Sequence, residues 1–138
     1  MIELMVVMAI VAIAMAVVSL ALRDPALDHL ERDAARLAAL LEMARAEARA
    51  SGLPASWAPV ADSSGAQFRF FGASPRSGLP DRWLDERVQA QVVGAARLVL
   101  GPEAILPAQR VVLRLDPHRL EVASDGLASF AVLPAATP

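Results

Sequence analysis

MIELMVVMAIVAIAMAVVSLAL, residues 1–22, is the stretch that decides how the chain is organised. It carries one charge, Glu3, next to its start; from Leu4 to Leu22 there is none, and Ser19 is its only hydroxyl. At about 1.5 Å of rise per residue, a helix of this length crosses a hydrocarbon core of roughly 30 Å. The competing reading is a cleavable secretory signal, which needs a basic segment, a short apolar core and small residues before the cut. No Arg or Lys precedes this core, the core is too long, and Ser19, Ala21 and Leu22 make a weak cleavage site. A retained membrane helix over residues 1–24 is therefore expected.

Outward from that helix, 138 residues less the first 22 leave 116, room for one small domain. The expected division is a membrane segment 1–24 and a globular domain 25–138. Mean hydropathy is +0.45, and the opening accounts for much of it. Net charge is -2, so bulk charge supplies no pull toward nucleic acid or anionic lipid. All 13 basic residues are Arg. Cysteine is absent, which excludes disulfides, thiol catalysis and Cys-ligated metal and suits an extracytoplasmic domain.

Arg23-Asp24-Pro25 marks the membrane interface. Pro25 is expected to kink the helix or to open a new one at its first turn. A second helical pattern covers 26–51: Leu27, Leu30, Ala34, Leu37, Leu41, Ala44 and Ala48 recur at 3-4 spacing, while Asp28, Arg32, Arg36, Glu42, Arg45 and Arg49 lie mostly off that stripe. Asp28 with Arg32 and Asp33 with Arg36 are at supporting helical spacings. Gly52 and Pro54 supply a C-cap and a stop. The stripe reads as the face that packs on the chain's own sheet, with a coiled-coil seam as the alternative.

Beyond Pro54 the period changes. Residues 55–60 suggest an edge strand limited by Pro59, and 66–72 alternate as a strand should. Residues 74–81 read as a loop, and 82–87 as an ambiguous polar segment with a possible helical turn. Residues 88–93 and 96–100 are strand candidates divided by Gly94. Residues 111–115 and 120–123 flank Asp116-Pro117-His118-Arg119 as a hairpin, Ser124-Asp125-Gly126 is a second turn, and 129–133 form a last strand before an uncharged Pro/Ala tail. The expected fold is α+β: a long N-terminal helix packed on a small antiparallel sheet within 55–133.

Few residues suggest chemistry. His29 and His118 lack a second ligand at metal spacing and are expected to face solvent. Asp81, Asp85 and Glu86 cluster around Trp83; oxygen-rich loops can hold Ca²⁺, but these residues lack the spacing of a known calcium loop, and a solvated loop is the plainer reading. Arg110 and Arg114 share a strand face and Arg119 lies near, but Glu121 and Asp116 dilute the patch, which favours a solvated sheet face. No nucleophile elbow, phosphate loop or dinucleotide fingerprint occurs. Neither a metal nor a cofactor is expected, nor is an enzyme.

The strongest signal is Glu3, since a carboxylate entering a bilayer costs up to a few kcal/mol at mid-depth and less near the end, and such a group usually has a partner. Ile2-Glu3-Leu4-Met5-Val6-Val7-Met8-Ala9-Ile10-Val11-Ala12-Ile13 resembles the start of type IV pilins and type II secretion pseudopilins, where Gly-Phe-Thr-Leu-Ile-Glu leads into an apolar helix. Met1 stands at the family's leucine; the basic leader, Gly, Phe and Thr of that pattern are not in the sequence. Leu40 to Pro54, a Glu/Arg/Ala-rich helix closing on Gly-x-Pro, is similar to the helix end of the H-type minor pseudopilins. Ser124 to Val132 is similar to their last hairpin, from which Asp125 and Ala128 depart.

The resemblance implies a type IV pilin-like fold and a structural role. It implies cleavage and N-terminal methylation by a prepilin peptidase, and a single-pass inner-membrane location with a periplasmic domain. It also implies assembly with other minor pseudopilins and the major pseudopilin on an inner-membrane secretion platform, joining the pseudopilus tip to its shaft. Glu3 would match the glutamate that meets a neighbour's N-terminal ammonium. Ile2, Leu4, Val7, Ala9, Val11 and Ala12 would pack in membrane or filament, with Ala14 and Ala16 also allowing close approach. A minor pilin of a type IV pilus, including a DNA-uptake type, shares the fold. The uncharged tail argues against DNA and for secretion. A plain bitopic protein with a ligand-binding domain is the third reading.

Overall fold

The computed structural model describes residues 1–22 and 24–135; Arg23 of the interface triplet and residues 136–138 of the tail lie outside the described residues. Helix α1 runs Ile2–Ala21 and helix α2 runs Pro25–Ser51. Of the two outcomes expected for Pro25, a kink in one helix or the opening of a new one, the second is found: it starts α2 at its first turn, so the kink assigned to Pro25 is replaced by a break between two helices. Asp24 between them has extended backbone (φ -73°, ψ 116°), and its Oδ1 accepts the Ala26 N–H at 3.0 Å, capping α2 with Pro25 at the first turn. A proline lacks the N–H that would continue α1, and its fixed φ suits a first helical position.

Helix α2 ends as its sequence implies. Gly52 adopts φ +69°, open to glycine at little cost, and its N–H donates to the Ala48 carbonyl at 2.9 Å. Leu30, Ala34, Leu37, Leu41, Ala44 and Ala48 are buried, with Leu27 half-buried at the upper end. The stripe thus packs inside its own domain. Arg45 departs from expectation: read as lying off the stripe, it is 2% exposed, and Asp33 is 0% exposed.

Among the described residues, seven strands form two sheets rather than one. In the first, β1 (Ala55–Pro59) lies between β2 (Phe68–Phe71) and β4 (Leu98–Gly101); in the second the order is β3 (Gln89–Val92), β5 (Gln109–Leu115), β6 (His118–Ser124), β7 (Ala131–Pro134). All pairs are antiparallel. β1 is central, not an edge. Pro59 is tolerated because β1 pairs with β4 only from Ala55 to Trp57, and the Val60 N–H, pointing the other way, meets the Gln67 carbonyl at 3.0 Å. The strand candidates on either side of Gly94 belong to different sheets, so residues 93–97 carry the chain from one to the other.

α2 packs on β1 and β4 of the first sheet and on β5, β6 and β7 of the second, closing both over one core. Trp57, Phe68 and Trp83 form its aromatic centre, with Phe68 and Trp83 centroids 4.6 Å apart. Val111, Leu113 and Leu115 point inward along β5. Burying each large apolar side chain contributes about 1.5–3 kcal/mol.

Two polar ties fasten loops to α2. Arg45 donates from Nη2 to the Gly126 carbonyl at 2.8 Å and from Nη1 to the Ala128 carbonyl at 3.1 Å, and Glu42 accepts the Phe130 N–H at 2.8 Å. Asp33 accepts the Leu84 and Asp85 N–H groups at 2.8 and 3.1 Å. That carboxylate dictates the shape of residues 82–87, which form bends and a turn with no helix.

Candidate functional site

No residue of α1 is buried. Its 20 residues have a mean hydropathy of 2.9 over the best 18-residue window, long and apolar enough to cross a membrane. Glu3 sits in the first turn, where the exposed N–H ends of the helix favour a carboxylate by roughly 0.3–1 kcal/mol. At about 100° per residue, Leu4, Val7 and Val11 share one face, Ile2 and Ala9 lie on the opposite one, and Ala12 lies between. The packing residues expected from the sequence therefore surround the helix and do not form one seam. Ala9, Ala12, Ala16 and Ser19 follow 3-4-3 spacing on the side away from Glu3, while Ala14 lies on the Glu3 side.

The junction between helix and domain is held by side chains. His118 Nε2 lies 2.7 Å from Asp24 Oδ2, joining the β5–β6 turn to the residue that caps α2. His118 is half-buried there rather than fully solvent-facing. The Asp24 carboxyl is held below its ordinary range, first by the His118 hydrogen bond and then by the Ala26 N–H.

Farther along α2, exposed His29 lies with Nδ1 2.9 Å from Asp85 Oδ2, and Arg87 grips the same carboxylate through Nε at 3.0 Å and Nη2 at 2.7 Å. Arg87, then His29, then the Arg87 N–H hold the Asp85 carboxyl well below the usual carboxylate range. The loop read as a possible Ca²⁺ site is thus organised by hydrogen bonds: Asp85 serves Arg87 and His29, while the Asp81 and Glu86 carbonyls accept from Gln67 and, for Asp81, also Phe68. Among the described residues no group of three or more His, Cys, Asp or Glu is arranged to hold a metal ion.

Register settles the arginines. Arg114 on β5 lies directly opposite Arg119 on β6, and Arg110 opposite Ala123. Since Val111, Leu113 and Leu115 face the core, all three arginines occupy the outer face of the second sheet. Arg114 Nη2 lies 3.6 Å from the exposed Asp116, its one ion pair among the described residues; Arg110 and Arg119 form none there.

Sequence reasoning missed the internal roles of Asp33 and Arg45, and a usable signal was present. Asp33 is three residues after Leu30 and four before Leu37, and Arg45 is four after Leu41 and three before Ala48, both on the apolar spacing. Gln67 and Gln109, whose amides bridge backbone segments, carried no comparable signal. No family model, curated protein or solved structure matches this chain.

Proposed function

We propose that this chain is a structural subunit of a type II secretion pseudopilus, an H-type minor pseudopilin anchored in the inner membrane by α1 with its domain in the periplasm. The observation that supports this reading is α1 itself: an apolar helix with no buried residue and one carboxylate in its first turn, followed by a domain whose two sheets close over α2. An apolar surface of that extent needs lipid or other helices to cover it. The lone carboxylate needs a cation, and a neighbouring subunit's N-terminal ammonium is a fitting one. On this reading the role is mechanical, the partners are the major and other minor pseudopilins, and a prepilin peptidase processes the chain. The test is Glu3→Leu as the sole copy in a secreting strain. Membrane insertion is retained while assembly and export are impaired; normal export would overturn the proposal.

A further inference from the structure

We propose that the outer face of the second sheet, at the end beside α1, binds anionic phospholipid headgroups through Arg114 and Arg119, and so sets how the domain lies on the bilayer. This rests on the membrane anchoring proposed for α1.

Position is the first argument. Asp24 follows Ala21, the last residue of α1, by three residues, at most roughly 11 Å of extended chain. His118 is hydrogen-bonded to Asp24, and Arg119 is its neighbour on β6. Whatever angle α1 takes, the β5–β6 turn stays within a short reach of the point where the apolar helix ends. Headgroups occupy that zone, a layer of roughly 5–8 Å on each side of the hydrocarbon core.

Charge is the second argument. Arg114 and Arg119 face one another across the strands, an arrangement that repels unless an anion sits between the guanidiniums. Gln89 on β3 lies opposite Arg114 on its other side and brings no charge. Asp116 reaches Arg114 only at 3.6 Å and is itself 85% exposed, and Glu121, on the same face, makes no ion pair among the described residues. Two guanidiniums carried on directly opposed residues of one strand pair suit a phosphodiester group, the group that a phosphatidylglycerol bilayer displays. Arg110, farther along the same face, extends the positive edge away from the turn.

The absence of cysteine makes the test direct, because single-Cys reporters need no background change. The full chain is placed in vesicles of phosphatidylcholine alone or mixed with phosphatidylglycerol. An environment-sensitive fluorophore is attached at Val11→Cys, or at Gln89→Cys on the proposed face. The Val11 label reads hydrocarbon in both lipids. The Gln89 label approaches a headgroup-linked quencher only with phosphatidylglycerol, each arginine shifting the bilayer-apposed population roughly fivefold. The approach is lost in R114Q/R119Q, and in unaltered arginines at about 0.5 M salt, where screening falls to about 4 Å. The salt arm does not depend on how the double variant folds. A Gln89 signal equal in both lipids, or unmoved by salt, overturns the inference while a buried Val11 label leaves the anchor standing. A water-exposed Val11 label sinks both. Displacement of the Gln89 label by duplex DNA at matched phosphate would reassign the face to nucleic acid and likewise overturn it.

Discussion

Gln109 joins the two sheets through the backbone of Val99: its Nε2 donates to the Val99 carbonyl at 2.8 Å, and the Val99 N–H donates to its Oε1 at 2.6 Å. The carboxamide reproduces one rung of a β-ladder, where β4 ends the first sheet and β5 belongs to the second. Gln67 does the same for the 82–87 loop, accepting the Trp83 N–H at 3.0 Å and donating to the Glu86 carbonyl at 2.8 Å.

Gln109→Leu removes both bonds and leaves the Val99 backbone at a solvent-accessible edge, where water replaces part of what is lost. The expected loss is about 1–2 kcal/mol, from two neutral hydrogen bonds of about 0.5–1.5 kcal/mol each. Urea unfolding of the full chain in detergent, followed by fluorescence of Trp57 and Trp83, checks it. Gln109→Glu keeps the acceptor but sets a carboxylate against the Val99 carbonyl, so it should destabilise more at pH 7 than at pH 4. Equal midpoints for that variant at the two pH values would contradict the assigned pairing.

What could be read in the residues follows from what leaves a periodic or local trace. The apolar run to Leu22, the 3-4 stripe of α2, the Gly52 cap and the β5–β6 hairpin each depend on near neighbours, and each formed within a residue or two of its expected place. The division into two sheets did not show, because it is decided by which strands α2 and the Trp57–Phe68–Trp83 cluster draw together. Nor did the side-chain-to-backbone bonds. Arg45 meets carbonyls 81 and 83 residues away, and a carbonyl has no identity in a sequence. Of the candidate site, Glu3 and its apolar setting were plain from the start. The alignment of Arg119 with Arg114 needed the register of a two-residue turn.

Acid should weaken the domain through a small set of carboxyls. The folded Asp85 carboxyl titrates below its unfolded value of about 3.9, because Arg87 and His29 hold its charged form. In the window between those two values the unfolded chain binds the extra proton, so stability falls as pH falls. The contribution is complete above about pH 4 and is lost as pH drops through the folded value. Asp24, Asp62 and Asp125 are shifted the same way by their own hydrogen bonds and steepen the same limb. Unfolding midpoints are expected to be nearly flat from pH 7 to 5 and to decline below about 4. Asp85→Asn should shallow that decline. An unchanged slope in the variant would mean that the pairing with Arg87 and His29 does not act in solution.

Gly126 carries φ +98°, and a Cβ there would fall 1.8 Å from the Leu106 carbonyl oxygen. The clash is with backbone, in a loop whose Gly126 carbonyl also accepts the Leu106 N–H at 3.3 Å and the Arg45 guanidinium. Gly126→Ala therefore displaces two segments together and should cost about 3 kcal/mol or more, beyond the usual penalty of about 1 kcal/mol for a left-handed alanine. Gly78→Ala is the control: its φ is +62° with nothing within 4 Å of the added Cβ, so only the backbone penalty applies. Thermal midpoints of the two variants should separate clearly, and near-equal midpoints would show that the 106 and 126 loops do not pack as described.

Arg45 is the most consequential single position on α2. Its guanidinium is buried, spans two carbonyls of the β6–β7 loop, and lies 3.6 Å from Glu42, which itself holds the Phe130 N–H. Among the described residues its Nε has no partner. Arg45→Met keeps much of the apolar volume but strands the Gly126 and Ala128 carbonyls and removes the cation beside Glu42. A loss of about 2–5 kcal/mol is expected, chiefly from the two carbonyls left unsatisfied at roughly 1–3 kcal/mol each, since Glu42 keeps access to water. Arg45→Lys retains the charge as a point and reaches at most part of the fork, so it should recover only some of that loss. Pairing Arg45→Met with Glu42→Gln should cost less than the sum of the single changes, because the second substitution removes the charge left uncompensated by the first. Hydrogen exchange at Phe130 and Ala131 locates the effect: protection there should fall in each Arg45 variant while the amides of β1 and β2 hold. If exchange instead rises evenly across both sheets, Arg45 supports the whole core and does not act as a clamp on the last hairpin.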